Sequence, residues 1–378
     1  MLTGGRVAFP DGVADDGWLR VSGGVIADVG TGTPPDGPRV DAGGALVVPG
    51  FIDTHCHGGG GAAFSTTDPA EAARAIAAHR RHGTTTMLAS LVTDPVPVLA
   101  DQLAALSELV EDGELAGVHL EGPFLAAPRC GAHDPASLRD PDSSALDTLL
   151  DAGRGHVRMM TLAPELPGGV KAVHRLVESG VVAAIGHTDG TGEQVRAAVD
   201  AGATVATHLY NGMRPLHHRE PGPIAVLLED ERVTIELICD LVHVHPTMVR
   251  LAAKHAGRGR TVLVTDAMSA TGAADGAYTL GKLAVDVHDG VATLPGSGAL
   301  AGSTLTMDAA FRNFVHGAGM SIEDAVWATA SRPAELLGIA DRTGRLSRGL
   351  QADLVLLGDD LRPKRVLRRG LWNTEGDR

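Results

Sequence analysis

Short apolar runs alternate with helical patterns through the middle of the chain. One helical pattern is DPAEAARAIAAHRRHG, in which Asp68 before Pro69 signals a helix start and Gly83 signals its end. Strands that alternate with helices predict βα units and a parallel sheet. Eight strands within about 220 residues are the number and size expected of a TIM barrel. The eight apolar runs are LVVPGFIDTHCH, TTTMLAS, LAGVHLEGPF, VRMMTLAPE, VVAAIGHTD, ATVATHLYN, TIELICDLVH and TVLVTDAM.

The two ends of the chain have a different character, with short apolar runs separated by glycine-rich turns. The first part contains GGRVAF and GWLRVSGGVIADVG, and the last part contains ADLVLLG, closed by Gly358. Because neither end has enough strands to be stable alone, we predict that they pair into one small β-sandwich domain. The predicted α/β organisation is therefore a (β/α)8 TIM barrel over residues 49–343 and a β domain in two parts, 1–48 and 344–378.

The composition restricts the compartment and the partners. The 378-residue chain has a formal net charge of −14, which argues against nucleic acid or an anionic membrane as a partner. Three cysteines are too few for a disulfide framework and favour a reducing compartment. No apolar run is long enough to span a bilayer, and the first residues do not resemble a signal peptide. We expect a cytoplasmic protein.

Polar side chains occur at the carboxyl ends of the predicted strands. In a barrel these ends meet on one face, where the active sites of such folds lie. Because alternate strand residues point to the same side, His55 and His57 can face the barrel axis while Cys56 faces away. The strand-end residues are His55, His57, Glu121, His187, His208, His243 and Asp266.

The first histidine pair forms half of a site for a divalent metal. The pair alone is weak evidence, because the chain has 17 histidines and His243 with His245 repeats the same spacing. Further weight comes from Glu121, His187 and His208, each at the end of a different predicted strand. Histidines with one carboxylate suit zinc or another first-row metal.

Asp266 follows the apolar run VLVT of the last predicted strand. It has two interpretations, as a helix N-cap or as a general base beside a metal-activated water. A metal with a positioned carboxylate is suited to the hydrolysis of an amide or imine carbon.

An ordered set of motifs resembles the N-acetylglucosamine-6-phosphate deacetylase family of the amidohydrolase superfamily. The set is HLEGPF, GHTDGT, THLYNGM, REPG, LVTDAM and LAGSTLTM, and the similarity covers nearly the whole chain. Relatives with other activities, such as dihydroorotase and urease, usually bridge two metals with a carboxylated lysine on the fourth barrel strand. None of the four lysines lies at such a strand end, and the resemblance implies that Glu121 takes that place. The lysines are Lys171, Lys254, Lys282 and Lys364.

The resemblance implies a divalent metal, with zinc expected first and iron, cobalt, manganese or cadmium as alternatives. It assigns Asp266 as the acid/base and as a metal contact. The histidine pair of the first strand matches members that hold a second metal, whereas members without the pair work with one, so one or two ions per subunit are expected. The implied metal-site residues are Glu121, His187, His208, His55, His57 and Asp266.

The resemblance also implies how a sugar phosphate is held. The phosphate would meet the backbone amides of Asn211 and Gly212 and the side chains of Arg219 and His243, with Arg219 reaching the neighbouring subunit of a homodimer. His133 would be a second catalytic residue, polarising the substrate carbonyl. The implied substrate-binding residues are Ala132, His133, Asn211, Gly212, Arg219, His243, Leu300, Ala301 and Gly302.

The implied reaction is the hydrolysis of N-acetylglucosamine 6-phosphate to glucosamine 6-phosphate and acetate. Two alternatives are open. The same fold and metal could act on another N-acyl amino sugar, an N-acyl amino acid or a cyclic amide. The barrel could also have lost catalysis and serve as a binding protein, although a scaffold has no need for a charged cluster at its mouth.

Overall fold

The computed structural model describes residues 1–373. Its centre is a sheet of eight parallel strands whose spatial order follows the chain order. These strands come from the eight apolar runs, so the predicted barrel is confirmed. The barrel strands, first to eighth, are Phe51–Asp53, Thr84–Val92, Gly117–Glu121, Val157–Leu162, Val182–Ile185, Val205–Ala206, Thr234–Ile238 and Thr261–Val264.

The first and eighth barrel strands meet just beyond their carboxyl ends. The backbone N–H of Asp266 donates to the His55 carbonyl at 2.8 Å, and the N–H of His57 donates to the Ala267 carbonyl at 2.8 Å. The buried Asp53 carboxylate accepts the Thr265 hydroxyl at 2.6 Å across the same seam. These bonds join the two strands at the residues that begin the functional site.

Helices cover the outside of the barrel and bury one apolar face each. The predicted helix start is confirmed, because the Asp68 side chain accepts the Ala70 N–H and caps a helix with proline in its first turn. The chain leaves that helix through Gly83, whose φ of 89° suits glycine. The α-helices are Pro69–Arg81, Val96–Glu111, Ser143–Ala152, Gly169–Glu178, Gly192–Asp200, Gly222–Glu229, Pro246–Ala256, Met307–Arg312, Ile322–Val326 and Arg332–Leu336.

Shorter helical turns complete these elements. Two 3-10 turns lie in the loop that follows the third barrel strand, and two π-helical turns extend helices near the end of the barrel. None of the helices in residues 1–373 combines the length and the apolar character that a membrane crossing requires. The turns are Ala127–Arg129, Pro135–Ser137, Asn313–Gly317 and Trp327–Ser331.

The two ends of the chain form one eight-stranded sheet with its own apolar core. The prediction that both ends build one β domain beside the barrel is therefore confirmed. The run LVVPGFIDTHCH is divided between the two sheets at Gly50, where Thr85 lies too close for any Cβ atom. The strands of the terminal sheet are Leu2–Phe9, Gly12–Ser22, Val25–Thr31, Val40–Asp41, Leu46–Pro49, Leu354–Leu357, Pro363–Arg368 and Leu371–Trp372. Residues 374–378 of the predicted last segment lie outside the described residues.

A three-stranded antiparallel sheet follows the eighth barrel strand and was not predicted. Its strands are Gly276–Leu280, Leu283–His288 and Val291–Thr293. Its apolar side packs on Val92, which ends the second barrel strand, and on Ala132 and Met268, which lie in loops beyond the strand ends. The small sheet thus forms a wall beside the functional site. A two-stranded ribbon, Gly58–Gly59 with Ala62–Ala63, follows the first barrel strand.

Candidate metal centre and substrate pocket

The strand-end residues lie together at the carboxyl face of the barrel, as predicted. Glu121 ends the third strand, and the others lie a few residues beyond the ends of their strands. Three of the backbones have positive φ: 47° at His187, 29° at His208 and 49° at Asp266. Such conformations are costly for residues other than glycine and cluster at functional sites. The side chains of these three residues, His187, His208 and Asp266, point into the barrel mouth.

One oxygen of Glu121 organises the first ligand group, which is Glu121, His187 and His208. Glu121 Oε1 lies 3.0 Å from His187 Nε2 and 2.9 Å from His208 Nε2. The two imidazole nitrogens are 3.1 Å from each other. The three atoms therefore form a small triangle of nearly equal sides.

The other oxygen of Glu121 belongs to the second ligand group, which is His55, His57, Glu121 and Asp266. His57 Nε2 lies 3.1 Å from Glu121 Oε2, 3.2 Å from Asp266 Oδ1 and 3.1 Å from His55 Nε2. His55 Nε2 is 3.5 Å from each of the two carboxylates. Glu121 thus links the two groups by offering one oxygen to each.

These distances fit a metal in each group. Ligand atoms bound to zinc at about 2.0–2.1 Å stand about 3.3 Å apart in a tetrahedron and about 2.9 Å apart at right angles. Two imidazole nitrogens that face each other at 3.1 Å cannot both carry a proton, whereas both can bind one cation. The donor set of histidines and carboxylates is also the one that first-row metals prefer.

Hydrogen bonds behind the rings direct the Nε2 atoms inward. His187 Nδ1 donates to the Arg129 carbonyl at 2.7 Å, and His57 Nδ1 donates to the Ser90 carbonyl at 3.2 Å. A carbonyl at Nδ1 requires the proton there and leaves Nε2 free to bind a metal. Cys56 faces away, with its sulfur 3.2 Å from His79 Nε2, as the alternation predicted.

Charge pairing within the cluster overcomes the effect of burial. Burial alone would raise the pKa of Asp266, but His55 and His57 hold it well below its ordinary value. Burial would likewise raise the pKa of Glu121, yet the charge of His55 and a hydrogen bond from His133 hold it well below the usual range. Both carboxylates are therefore ionised at neutral pH. Asp266 caps no helix; its carboxylate faces the cluster.

His133 enters the site from the loop after the third strand. Its Nδ1 accepts the Thr93 backbone N–H at 3.2 Å, so the proton of the neutral ring lies on Nε2. Burial lowers the pKa of His133 to about 4, which keeps the ring neutral. His133 Nε2 lies 3.3 Å from Glu121 Oε2. The ring therefore presents a neutral N–H donor beside the two ligand groups.

A cavity of about 220 Å³ opens above the two ligand groups. Most of the predicted substrate-binding residues line it, namely Ala132, His133, Asn211, Gly212, His243, Leu300 and Gly302. Ala301 is fully buried and packs in the apolar cluster of the small three-stranded sheet. Arg219 is exposed on a loop, where its guanidinium contacts His218 at 2.9 Å. Leu280, from the small sheet, also lines the cavity and was not predicted.

His243 stands at the cavity wall and is paired with Asp240. Its Nδ1 donates to Asp240 Oδ2 at 2.6 Å. Although burial lowers the pKa of His243, the Asp240 carboxylate raises it above its ordinary value. The His243 ring therefore stays cationic to a higher pH than an ordinary imidazole does. His245, with the same spacing as the metal-site pair, instead accepts the Thr247 N–H and caps a helix.

Several buried polar residues around the cluster were not predicted. His119 packs against His55 with ring centroids 4.5 Å apart and bonds to Ser90 and Thr161. Glu236 lies in the seventh strand within contact of His55. The sequence does contain a signal for both residues. His119 in HLE and Glu236 in TIELI are polar residues inside apolar runs, and one face of each such strand must point into the barrel.

The family model that matches this chain is described as the amidohydrolase family and covers residues 46–372. N-acetylgalactosamine-6-phosphate deacetylase of Escherichia coli O157:H7 is 37% identical over 375 residues, covering 98% of this chain and 98% of the relative. N-acetylglucosamine-6-phosphate deacetylase of Bos taurus is 36% identical over 353 residues, covering 89% of this chain and 85% of the relative.

A solved structure of the Mycobacterium smegmatis N-acetyl-D-glucosamine-6-phosphate deacetylase, a mutant in complex with N-acetyl-D-glucosamine-6-phosphate, has a TM-score of 0.96. It is 47% identical, and the match covers 98% of both chains. The family model, the full-length relatives and the backbone likeness agree with the carboxylate-linked histidine cluster in the barrel mouth. The chain belongs to the amidohydrolase family.

Proposed function

We propose that this protein hydrolyses N-acetylglucosamine 6-phosphate to glucosamine 6-phosphate and acetate, in amino-sugar catabolism and cell-wall sugar recycling. The observation that carries the proposal is the Asp266 carboxylate, 3.2 Å from His57 Nε2, in the same cavity as the N–H donor of His133. The activity shared by the full-length relatives supports the same reaction. Acetate release from this sugar phosphate by the metal-loaded protein tests it directly.

The two ligand groups would hold one or two divalent ions, with zinc as the first choice. Iron, cobalt, manganese and cadmium accept the same ligands and are the alternatives. When bound, such an ion lowers the pKa of water and polarises a carbonyl oxygen. Glu121 would bind an ion in either group, because its two oxygens face different histidines.

Asp266 supplies the acid/base chemistry of this proposal. The carboxylate is ionised, so it accepts a proton from the attacking water. The same carboxyl then donates the proton to the nitrogen of the leaving amine, which makes the amine a neutral product. The burial of Asp266 keeps bulk water from competing for this proton.

His133 positions the acetamide. A neutral Nε2–H can donate to the carbonyl oxygen and to the negative charge that develops there. The bond from the Thr93 N–H prevents the ring from turning its proton away. Ala132, Leu300 and Gly302 line the remaining wall, where the sugar ring would lie.

The phosphate would lie against Asn211, Gly212 and His243. Gly212 has a φ of 61°, and its missing Cβ makes room for His187. We propose that Arg219 completes this site in the neighbouring subunit of a homodimer. The guanidinium is exposed on its loop and does not line the cavity of its own chain, which is consistent with a role across subunits. The acidic net charge supports a protein without nucleic-acid or membrane partners, and the three dispersed cysteines support a place in the reducing cytoplasm.

The phosphate contact of His243 predicts a dependence on pH. Its pKa is raised, so the ring is cationic below that pKa and loses its charge as the pH rises through it. Above about pH 6.5, the ordinary imidazole pKa, the phosphate is mostly a dianion, and KM is expected to rise about 10–100-fold as the pH passes through the raised pKa of His243 and the charged contact is lost. Steady-state kinetics of His243→Asn should show a KM that is high throughout and does not rise in this range. A wild-type KM that is constant over the range would contradict the assignment.

Arg219→Ala is expected to raise KM for the phosphorylated sugar by about 10–100-fold, because a charged hydrogen bond to the phosphate is lost. Hydrolysis of unphosphorylated N-acetylglucosamine should not change. Arg74→Ala removes another exposed arginine and is the matched control. Sedimentation velocity should show a dimer for all three proteins. Comparable turnover of both sugars, with Arg219→Ala unaffected, would instead favour another N-acyl substrate or a cyclic amide.

A second candidate substrate is N-acetylgalactosamine 6-phosphate, the epimer at C4. The Escherichia coli relative, matched over 98% of this chain, is a deacetylase of that sugar. The two epimers place one hydroxyl differently against the same pocket wall. Parallel measurements of kcat/KM for both sugars decide between them, and a ratio above one for the galacto epimer would reverse our assignment.

A further inference from the structure

Glu236 is a buried carboxylate that the proposed reaction does not use. It lies in the middle of the seventh barrel strand, and none of its surface is exposed. Its Oε1 accepts the Thr54 hydroxyl at 3.0 Å, and its Oε2 lies 3.5 Å from His55 Nδ1. The side chain therefore stands directly behind one imidazole of the second ligand group.

The burial of this carboxylate has a cost that the fold alone does not explain. Within residues 1–373, Glu236 forms no ion pair with a lysine or an arginine. An ionised carboxylate in such a position costs several kcal/mol unless a partner compensates it. Its one ionisable contact within residues 1–373 is the imidazole of His55.

The position of Glu236 determines which nitrogen of His55 is available. An acceptor at Nδ1 draws the ring proton there and leaves the Nε2 lone pair directed at Glu121, His57 and Asp266. His57 and His187 have backbone carbonyls at the corresponding atom. The carboxylate behind His55 differs from these because it adds a negative charge, which makes the ring a stronger metal ligand.

The ring of His55 is also held from the side. His119 packs edge to face against it at 4.5 Å, and its two nitrogens bond to the Ser90 and Thr161 hydroxyls at 2.9 Å. His119 is therefore fixed, and His55 has little freedom to turn away from Glu236. Within residues 1–373 the first ligand group has no carboxylate of this kind, since His187 Nδ1 bonds to a backbone carbonyl and His208 Nδ1 has no hydrogen-bond partner.

We propose that Glu236 is a positioning residue that controls the occupancy of the second metal position through His55, while the first ligand group binds its ion independently. This inference rests on the proposed metal-dependent function. It states that the number of ions per chain is set by a residue that touches neither metal nor substrate. Loss of the Glu236 charge should weaken the second ion by about 10–100-fold and leave the first in place.

The test is the metal content of Glu236→Gln. Protein reconstituted with zinc is dialysed against a series of buffers of fixed free zinc, and zinc per chain is measured by elemental analysis. The wild type should bind two ions, and Glu236→Gln should keep one and bind the other about 10–100-fold more weakly. Asp353→Asn, which alters a buried carboxylate just before a strand of the terminal sheet, is the matched control and should bind as the wild type does.

A double-variant cycle separates positioning from a general structural effect. In a His55→Asn background, Glu236→Gln should change zinc content no further, because the ring that transmits the effect is gone. If Glu236→Gln does not fold, as judged by circular dichroism, Glu236→Asp replaces it. That change keeps the charge but withdraws it from His55, so it should also weaken the second ion.

Three results would overturn the proposal. These are a wild type that binds one ion, a folded Glu236 variant that binds both ions as tightly as the wild type, and a variant that loses both ions equally. Acetate release is measured in parallel and tests the proposed function rather than the role of Glu236. Normal metal binding without hydrolysis of sugar phosphates would defeat the proposed function while the role of Glu236 stands.

Discussion

Asp266→Asn is expected to lower kcat for acetate release by about 10²–10⁴-fold, the contribution typical of a positioned acid/base. The amide has the shape of the carboxylate but neither accepts the proton of the attacking water nor returns it to the leaving amine. KM should change much less, because Asp266 contacts the metal-site histidine His57 and is proposed to move the proton rather than to bind the sugar phosphate. Steady-state kinetics with a coupled acetate assay measure both constants.

The control for this prediction is Asp286→Asn, which changes an exposed carboxylate on the small three-stranded sheet and should leave kcat unaltered. Metal content must be measured alongside, since Asp266 also lies 3.2 Å from His57 and belongs to the second ligand group. A variant with full metal content that retains more than about one tenth of the activity would assign the proton transfer to another group.

Glu121→Gln is expected to abolish metal binding in both ligand groups and to lower activity by more than about 10³-fold. Loss of electrostatic stabilisation at a reacting centre alone costs about 10²–10³-fold. The reason for the larger effect is the central position of Glu121, whose two oxygens serve different groups. A glutamine retains one carbonyl oxygen but has no charge. Its amide NH2 group is a hydrogen-bond donor that would face histidines required to bind a cation. Elemental analysis and the acetate assay measure the two effects.

His187→Asn provides the comparison, because it alters the first ligand group alone. It should remove about one ion per chain and leave the four residues of the second ligand group in place. Two ions retained by Glu121→Gln, or identical losses in the two variants, would show that Glu121 does not link the groups.

Much of the site was predictable because, in a barrel, the position of a residue along its strand determines at which end of the barrel it lies. A polar residue after an apolar run lies at the carboxyl end of a strand, and all these ends meet on one face. His187, His208 and Asp266 were found by this argument, and the structure places them within the same cluster. The motif resemblance added His133 and Asn211, which lie in loops where hydrophobic periodicity gives no prediction.

Other features depend on contacts between distant parts of the chain. The small three-stranded sheet follows the last strand, where the alternating pattern had ended, and its wall position depends on packing against Val92 and Met268. Glu236 stands 181 residues from His55, and no local pattern indicates their contact. The exposed position of Arg219 likewise follows from the path of its loop rather than from its neighbours in sequence.

The sequence by itself determined the barrel, the joining of both ends in one β domain and the identity of the residues at the barrel mouth. These follow from periodicity and from strand direction, which are local properties. Only the tertiary structure decided that Glu121 offers one oxygen to each ligand group and that His133 carries its proton on Nε2. The physical reason is that a hydrogen bond or a metal distance depends on ångström-scale placement, which arises only when eight strands and their loops pack together.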